Sequence, residues 1–282
     1  MRIGISAFAW TARFEQLHLE LLPAISKMGL CGVEVPMFDP AALPIDKIRE
    51  AFRANDLECT VCAILPESLN PISPDSGTRR KAVGHLVRCI EATAAMGSKI
   101  LGGPLFAPIG YLPEHRPTSE EWKWAVETFQ ELIPALDAND VTLSIEPVNR
   151  SETFFLRTAA EAKRLCESIG NPRVGVTIDT FHANIEERNI PAAILALGPH
   201  LKHIHASEND RGPLGRGHVP FAEIVFALQK IGYEGYLMIE GFGYSSSEKN
   251  APGWLWAETT VSPEDLASES LRYLNGILAA SN

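Results

Sequence analysis

Four residues carry most of the chemical interest of this sequence: Glu146, Asp179, His205 and Glu240, at intervals of 33, 26 and 35 residues. Each closes a short strand-like run: VTLSIE up to Glu146, VGVTID up to Asp179, LKHIH up to His205 and YLMIE up to Glu240. Alternation on a period of two marks a pleated element with two unlike faces. Pro147 supports this reading at the first of them, because proline has no N–H with which to continue a ladder. Alone, any of the four could be an ordinary strand-end residue; for Glu146 that is a carboxylate held by a neighbouring Arg or Lys. Together they are three carboxylates and one imidazole. Three carboxylates gathered at one rim repel one another unless a cation lies between them. Oxygen donors with a single imidazole suit a hard or borderline divalent ion with six-coordinate tendencies, Mn2+, Mg2+ or Co2+. A structural zinc more usually recruits Cys and His.

Such a site exists only if the fold brings four strand ends to one place. Strands are expected at 2–6, 31–35, 57–65, 99–102, 141–146, 174–179, 201–205 and 236–240. Helices are expected between and after them, at 15–28, 45–55, 77–96, 119–139, 158–169, 191–197, 221–231 and 263–278. Regular alternation of strand and helix implies a parallel sheet covered by helices. Eight units in 282 residues, with no composition break to mark a linker, fit a single closed (β/α)8 barrel over residues 1–282. The carboxyl-end rim of such a barrel is where catalytic groups collect. No G-x-G-x-x-G follows the first strand and no G-x-x-x-x-G-K occurs, so the usual open-sheet nucleotide signatures are missing.

Composition narrows the function classes. The chain is 45% hydrophobic and 21% charged, which is ordinary for a soluble domain. A formal charge of −10 argues against a nucleic-acid surface, which needs cations to replace phosphate counterions. No apolar run approaches the ~20 residues that span a bilayer. The opening MRIGISAFAW reads as a first strand, since its apolar stretch is too short for a signal peptide. Cys31, Cys59, Cys62, Cys89 and Cys166 are an odd set spread over a long chain, poor material for a disulfide framework. Cys59 and Cys62 spell C-x-x-C, but within one strand that spacing sends them to opposite faces. The expectation is a cytoplasmic protein with free thiols.

The strings IEPVNRSET, IDTFHANIEE, HIHASENDRGPLGRG and the final IEGF resemble the motifs of the ketose 3-epimerases. That family groups D-tagatose, D-allulose (psicose) and L-ribulose 3-epimerases among the xylose-isomerase-like barrels. The likeness runs through most of the second half, and DTFHANIEE is its most specific part. The resemblance implies metal ligation by Glu146, Asp179, His205 and Glu240, with Mn2+ the first choice of ion and Mg2+ or Co2+ next. It implies that Glu146 and Glu240 double as the acid/base pair, and that Glu152, His182 and Arg211, in the loops after strands five, six and seven, hold the substrate. It also implies a free ketose as substrate and a homodimer or homotetramer as the assembly.

The chemistry asks for this set. Epimerisation at C3 removes a proton beside the C2 carbonyl and returns one to the opposite face. A cation polarises the carbonyl, and two carboxylates trade roles as base and acid. The same barrel also suits a 1,2-aldose–ketose isomerase or an inosose dehydratase. An abasic-site endonuclease shares the fold, but it binds zinc through many histidines and needs a basic surface; a sugar-binding protein without catalysis would not need the acid/base pair. Some residues stay open at this level. Glu34, expected at the end of strand two, and His203, one layer below His205, are structural or support the ligands. RGPLGRG could cradle a phosphate, and Phe242, Tyr244, Trp254 and Trp256 form either an apolar wall or a subunit contact.

Overall fold

The structure, a computed structural model, describes residues 1–242 and 261–280. Its strands are β1 Arg2–Ser6, β2 Gly32–Met37, β3 Glu58–Ala63, β4 Ile100–Gly103, β5 Thr142–Ile145, β6 Val174–Asp179, β7 Leu201–Ala206 and β8 Tyr236–Ile239. All pairings are parallel, and β8 closes on β1, giving one barrel in the order β1 to β8. The α-helices between the strands are α1 Leu22–Met28, α2 Ile45–Ala54, α3 Ser76–Ala95, α4 Ser119–Glu131, α5 Ile133–Asn139 and α6 Ala159–Ile169. They continue with α7 Thr180–Glu186, α8 Ile190–Leu197, α9 Phe221–Lys230 and α10 Pro263–Ala280. The expected (β/α)8 architecture is thus present. No helix among the described residues is long and apolar enough to cross a membrane.

Period-two alternation sorts the two sides of the barrel wall. Outward residues such as Ile5, Val33, Val35, Val61, Leu101, Leu143, Val176, Ile204 and Ile239 are buried against the helices in one continuous apolar core. Inward residues are mostly small or polar, with Met238 packed over Gly4 as an exception. Thr60 bonds Glu34 and Thr177 bonds Ser144 within the barrel, while His203 reaches across the interior from β7 to Glu34 on β2. Cys62 groups with Glu34 and His205 on the inside, whereas Cys59 belongs to the outer core. The five cysteines are all unpaired.

Prolines explain where the structure departs from expectation. The helix expected over 119–139 divides at Leu132, because Pro134 has no N–H for the preceding turn and its ring crowds that turn's carbonyl. Pro23 acts likewise: the stretch before it, Gln16–Leu21, is 3-10, and only Leu22–Met28 is α-helical. Pro36 does the reverse of what was expected, for β2 runs through it to Met37. Met37 turns its carbonyl to Ile64 beyond β3, so the ring nitrogen of the preceding residue faces β1, whose pairing has already ended at Ser6. No ladder bond is lost, and Glu34 lies in the middle of its strand rather than at its end. The helix α7, which sequence periodicity did not mark out, starts directly on the last residue of β6.

Candidate active site

Four successive strands deliver the four residues to one rim. Glu146 and Glu240 each stand one residue beyond their strands, Asp179 is the last residue of β6, and His205 is the penultimate residue of β7. One ligand atom from each lies within 4.8 Å of the other three, and all four residues are buried. The backbone fixes these positions. The Glu146 N–H donates to the carbonyl of Gly103 and the Glu240 N–H to that of Ala206. Asp179 caps α7, its Oδ1 accepting from the Phe181 N–H at 2.8 Å. A bulge between β6 and β7 sets the remaining residue. Val176 pairs with Leu201 but Thr177 pairs with His203, so one residue is skipped and Asp179 comes opposite His205. Without that skip Asp179 would face Ile204.

Electrostatics inside the cluster are severe. Nδ1 of His205 is 3.1 Å from Glu146 Oε1 and 3.7 Å from Glu240 Oε2, and its Nε2 is 2.9 Å from Glu34 Oε1. Burial works to lower the His205 pKa, but Glu34, Glu146 and Glu240 together outweigh it and carry it well above the usual histidine range. Burial likewise raises Glu240, to about 8, against the opposing pull of His205 and Arg211. Asp179 goes the other way: burial is opposed by Arg211, His182 and His205, and its carboxyl is held below the usual range. At Glu34, too, burial is overcome, here by His205 and His203.

Three side chains surround this cluster on the solvent side. Arg211 is buried, with Nη1 2.8 Å from both Asp179 Oδ2 and Glu240 Oε2, and it also donates to the Ser207 hydroxyl. Its guanidinium lies over the rings of Phe181 at 4.1 Å and Phe242 at 4.9 Å, which cover both charge and stem. His182, expected in a loop, sits on α7. Its Nδ1 is 3.3 Å from the backbone N–H of Asn149, which can only donate. Its Nε2 lies 3.5 Å from Asp179 Oδ2 and 3.4 Å from Arg211 Nη2. Glu152 is the most open of the three; Asn149 Nδ2 donates to its Oε1, which is 3.9 Å from His182 Nδ1. Arg150 and Glu186 tie the loop after β5 to α7 through three hydrogen bonds. Glu152 and His182 are thereby held beside each other.

Some of the machinery escaped the sequence reading. Asn149 joins Glu152 to His182, yet in the string it is only one polar residue in a turn. Glu208 is fully buried, and its carboxylate accepts from the N–H groups of Asn209, Gly215 and Val219. Folding the loop around this carboxylate shapes the turn that carries Arg211, whose backbone is left-handed at φ 62°. An acid at the head of a Gly-rich loop was the available signal. Phe8, Cys62 and Phe242 form an apolar cluster of their own, with Phe38 and Ile64 packed against it. The Phe8 and Phe242 rings are 5.5 Å apart. Tyr244, Trp254 and Trp256 lie outside the described residues.

The donor set fits a divalent ion. Asp179 Oδ2 is buried without a hydrogen bond in acceptable geometry, although Arg211 is within ion-pair distance. Three carboxylates and the Nδ1 of His205 converge on one point, and a cation there would relieve their mutual repulsion.

Residues 22–277 match the family described as Xylose isomerase-like TIM barrel. The chain is 31% identical over 250 residues to the L-ribulose 3-epimerase of Mesorhizobium japonicum, an alignment that covers 88% of this chain and 84% of that relative. It is 28% identical over 274 residues to the probable ketose 3-epimerase of Synechocystis sp., with 97% and 96% of the two chains covered. A solved structure of L-ribulose 3-epimerase superposes with a TM-score of 0.91 at 30% identity, covering 99% of this chain and 95% of the other. On its barrel, its rim and these relatives, the chain belongs to the xylose isomerase-like TIM-barrel family and, within it, to the ketose 3-epimerases, which are isomerases.

Proposed function

We propose that this protein interconverts free ketoses at C3, with Glu146 and Glu240 as the acid/base pair and Glu146, Asp179, His205 and Glu240 as ligands of a divalent ion. The observation that carries the reading is the convergence of those four buried groups to within 4.8 Å on one rim. A divalent ion bound there, Mn2+ first and Mg2+ or Co2+ next, supplies Lewis-acid charge for the oxygen that turns anionic as the C3 proton leaves.

The chain's own groups do the rest. One carboxylate takes the proton from C3, giving a cis-enediolate of the sugar, and the other returns a proton to the opposite face. Glu146 and Glu240 end β5 and β8, so they approach a sugar from separated points on the rim. Arg211, His182 and Glu152 hold hydroxyls around the reacting carbons and keep the geometry close to that of the transition state. The cluster of Phe8, Cys62 and Phe242 supplies an apolar face. The loop after β7 supports an unphosphorylated substrate. Amides that could cradle a phosphate are already used within the chain: those of Asn209, Gly215 and Val219 on Glu208, and those of Gly212, Leu214 and His218 on Asp210, Ser270 and Asn209. In this reading residues 1–282 act as one barrel domain, assembled as a homodimer or homotetramer in the cytoplasm.

The test is a panel of free ketoses incubated with the protein and Mn2+ in D2O, followed by product chromatography and NMR. Deuterium at C3 of the epimer is the expected result. Label at C1 would assign an aldose–ketose isomerase instead, and loss of water a dehydratase.

A further inference from the structure

Glu34 lies inside the barrel with no solvent exposure, and its two oxygens are divided between two histidines. Oε2 accepts from His203 Nε2 at 2.9 Å and from the Thr60 hydroxyl at 3.1 Å. Oε1 stands 2.9 Å from His205 Nε2. The approach there is oblique, and neither atom has a hydrogen bond elsewhere. Two buried polar atoms thus meet with no other partner, and a small turn of the carboxylate completes their bond.

This contact decides which nitrogen of His205 is free. An ionised carboxylate only accepts, so both imidazoles present a protonated Nε2 to Glu34. In the neutral ring of His205 the lone pair is then on Nδ1, the atom that faces Glu146 and Glu240 at 3.1 and 3.7 Å. A lone pair aimed at two carboxylates is repelled by both; a divalent ion among them removes that repulsion, as a proton on Nδ1 does where no ion is bound.

We propose that Glu34 is a positioning residue of the metal centre: a buried carboxylate that keeps the His205 proton on Nε2 and thereby presents Nδ1 to the ion. The inference rests on the metal reading of the proposed function. Glu34 lies behind the imidazole, on the side away from the other three ligands, so it acts through His205 and not on the substrate. A carboxylate with a merely structural role would be satisfied through Oε2 by Thr60 and His203 and would need nothing from His205.

The test is calorimetric titration of Mn2+ into chelator-stripped protein. Glu34→Gln keeps the shape but offers an amide NH2 toward His205 Nε2, which favours the proton on Nδ1, the nitrogen meant for the ion. Its Mn2+ affinity should fall about 10- to 100-fold. Thr60→Val, which touches only Oε2, should bind with near wild-type affinity even where it lowers thermal stability. Wild-type affinity in folded Glu34→Gln overturns the inference while leaving the metal site standing. Failure of the wild-type protein to bind Mn2+ overturns the metal reading itself. Where Glu34→Gln does not fold, 15N NMR of histidine-labelled, Mg2+-loaded wild-type protein decides: a proton on Nε2 of His205 is expected, and a proton on Nδ1 overturns the inference.

Discussion

At the scale of single residues, the site is a balance of opposed charges in which position decides role. Glu146 and Glu240 have the same side chain, yet Glu240 shares an oxygen with Arg211 while Glu146 faces His205. If the two work on opposite faces of a sugar, neither can replace the other. Glu146→Gln and Glu240→Gln should each lower kcat for epimerisation by about 10²- to 10⁴-fold. Metal content has to be measured first, since each residue is also a proposed ligand. Metal-loaded variants should still exchange the C3 proton of one epimer with D2O, and the two should prefer opposite epimers. Near wild-type epimerisation by either one removes that carboxylate from the acid/base pair.

At the scale of elements, strand ends and the turns after them hold these groups, so backbone changes well outside the ligand set should reach the chemistry. Gly103 closes β4 with φ at 124°, and its carbonyl accepts the Glu146 N–H. A Cβ at this position would run into the Ala63 carbonyl on β3. Gly103→Ala should therefore lose about 1–3 kcal/mol of stability in urea denaturation, and kcat should fall because Glu146 is displaced with its anchor. Gly29, at φ 94° after α1, has nothing within 4 Å of the same added atom. Gly29→Ala should carry only the conformational cost, about 1 kcal/mol, with kcat unchanged. Equal effects on kcat from the two substitutions would show that the Gly103 contact does not position Glu146.

At the scale of the whole molecule, the barrel concentrates four carboxylates, counting Glu34, against few buried cations. A bound divalent ion should stabilise the fold as well as permit turnover. Chelation is expected to abolish activity and lower the melting temperature, and added Mn2+ or Co2+ to restore both. Ion at a hundredfold excess over its Kd contributes about 2.7 kcal/mol if it binds only the folded chain. Full activity in stripped protein with no metal by elemental analysis would remove the ion from the mechanism.

Sequence by itself determined the eight strand–helix units and the barrel, because alternation and strand–helix spacing are local properties that tertiary packing preserves, and its motifs carried the family. It also put Glu146, Asp179, His205 and Glu240 at strand ends, since a residue's place along a strand follows from its own run. Effects that depend on a neighbouring strand were decided only by the tertiary structure. The passage of β2 through Pro36 depends on where β1 stops, and it turns Glu34 from a strand-end residue into a mid-barrel one. The skip between β6 and β7 depends on how two strands pair, and it alone brings His205 rather than Ile204 opposite Asp179. The bond between Glu34 and His203 spans the barrel between strands that are not neighbours. Sequence periodicity describes one strand at a time, so contacts across the interior come into being only when the sheet closes.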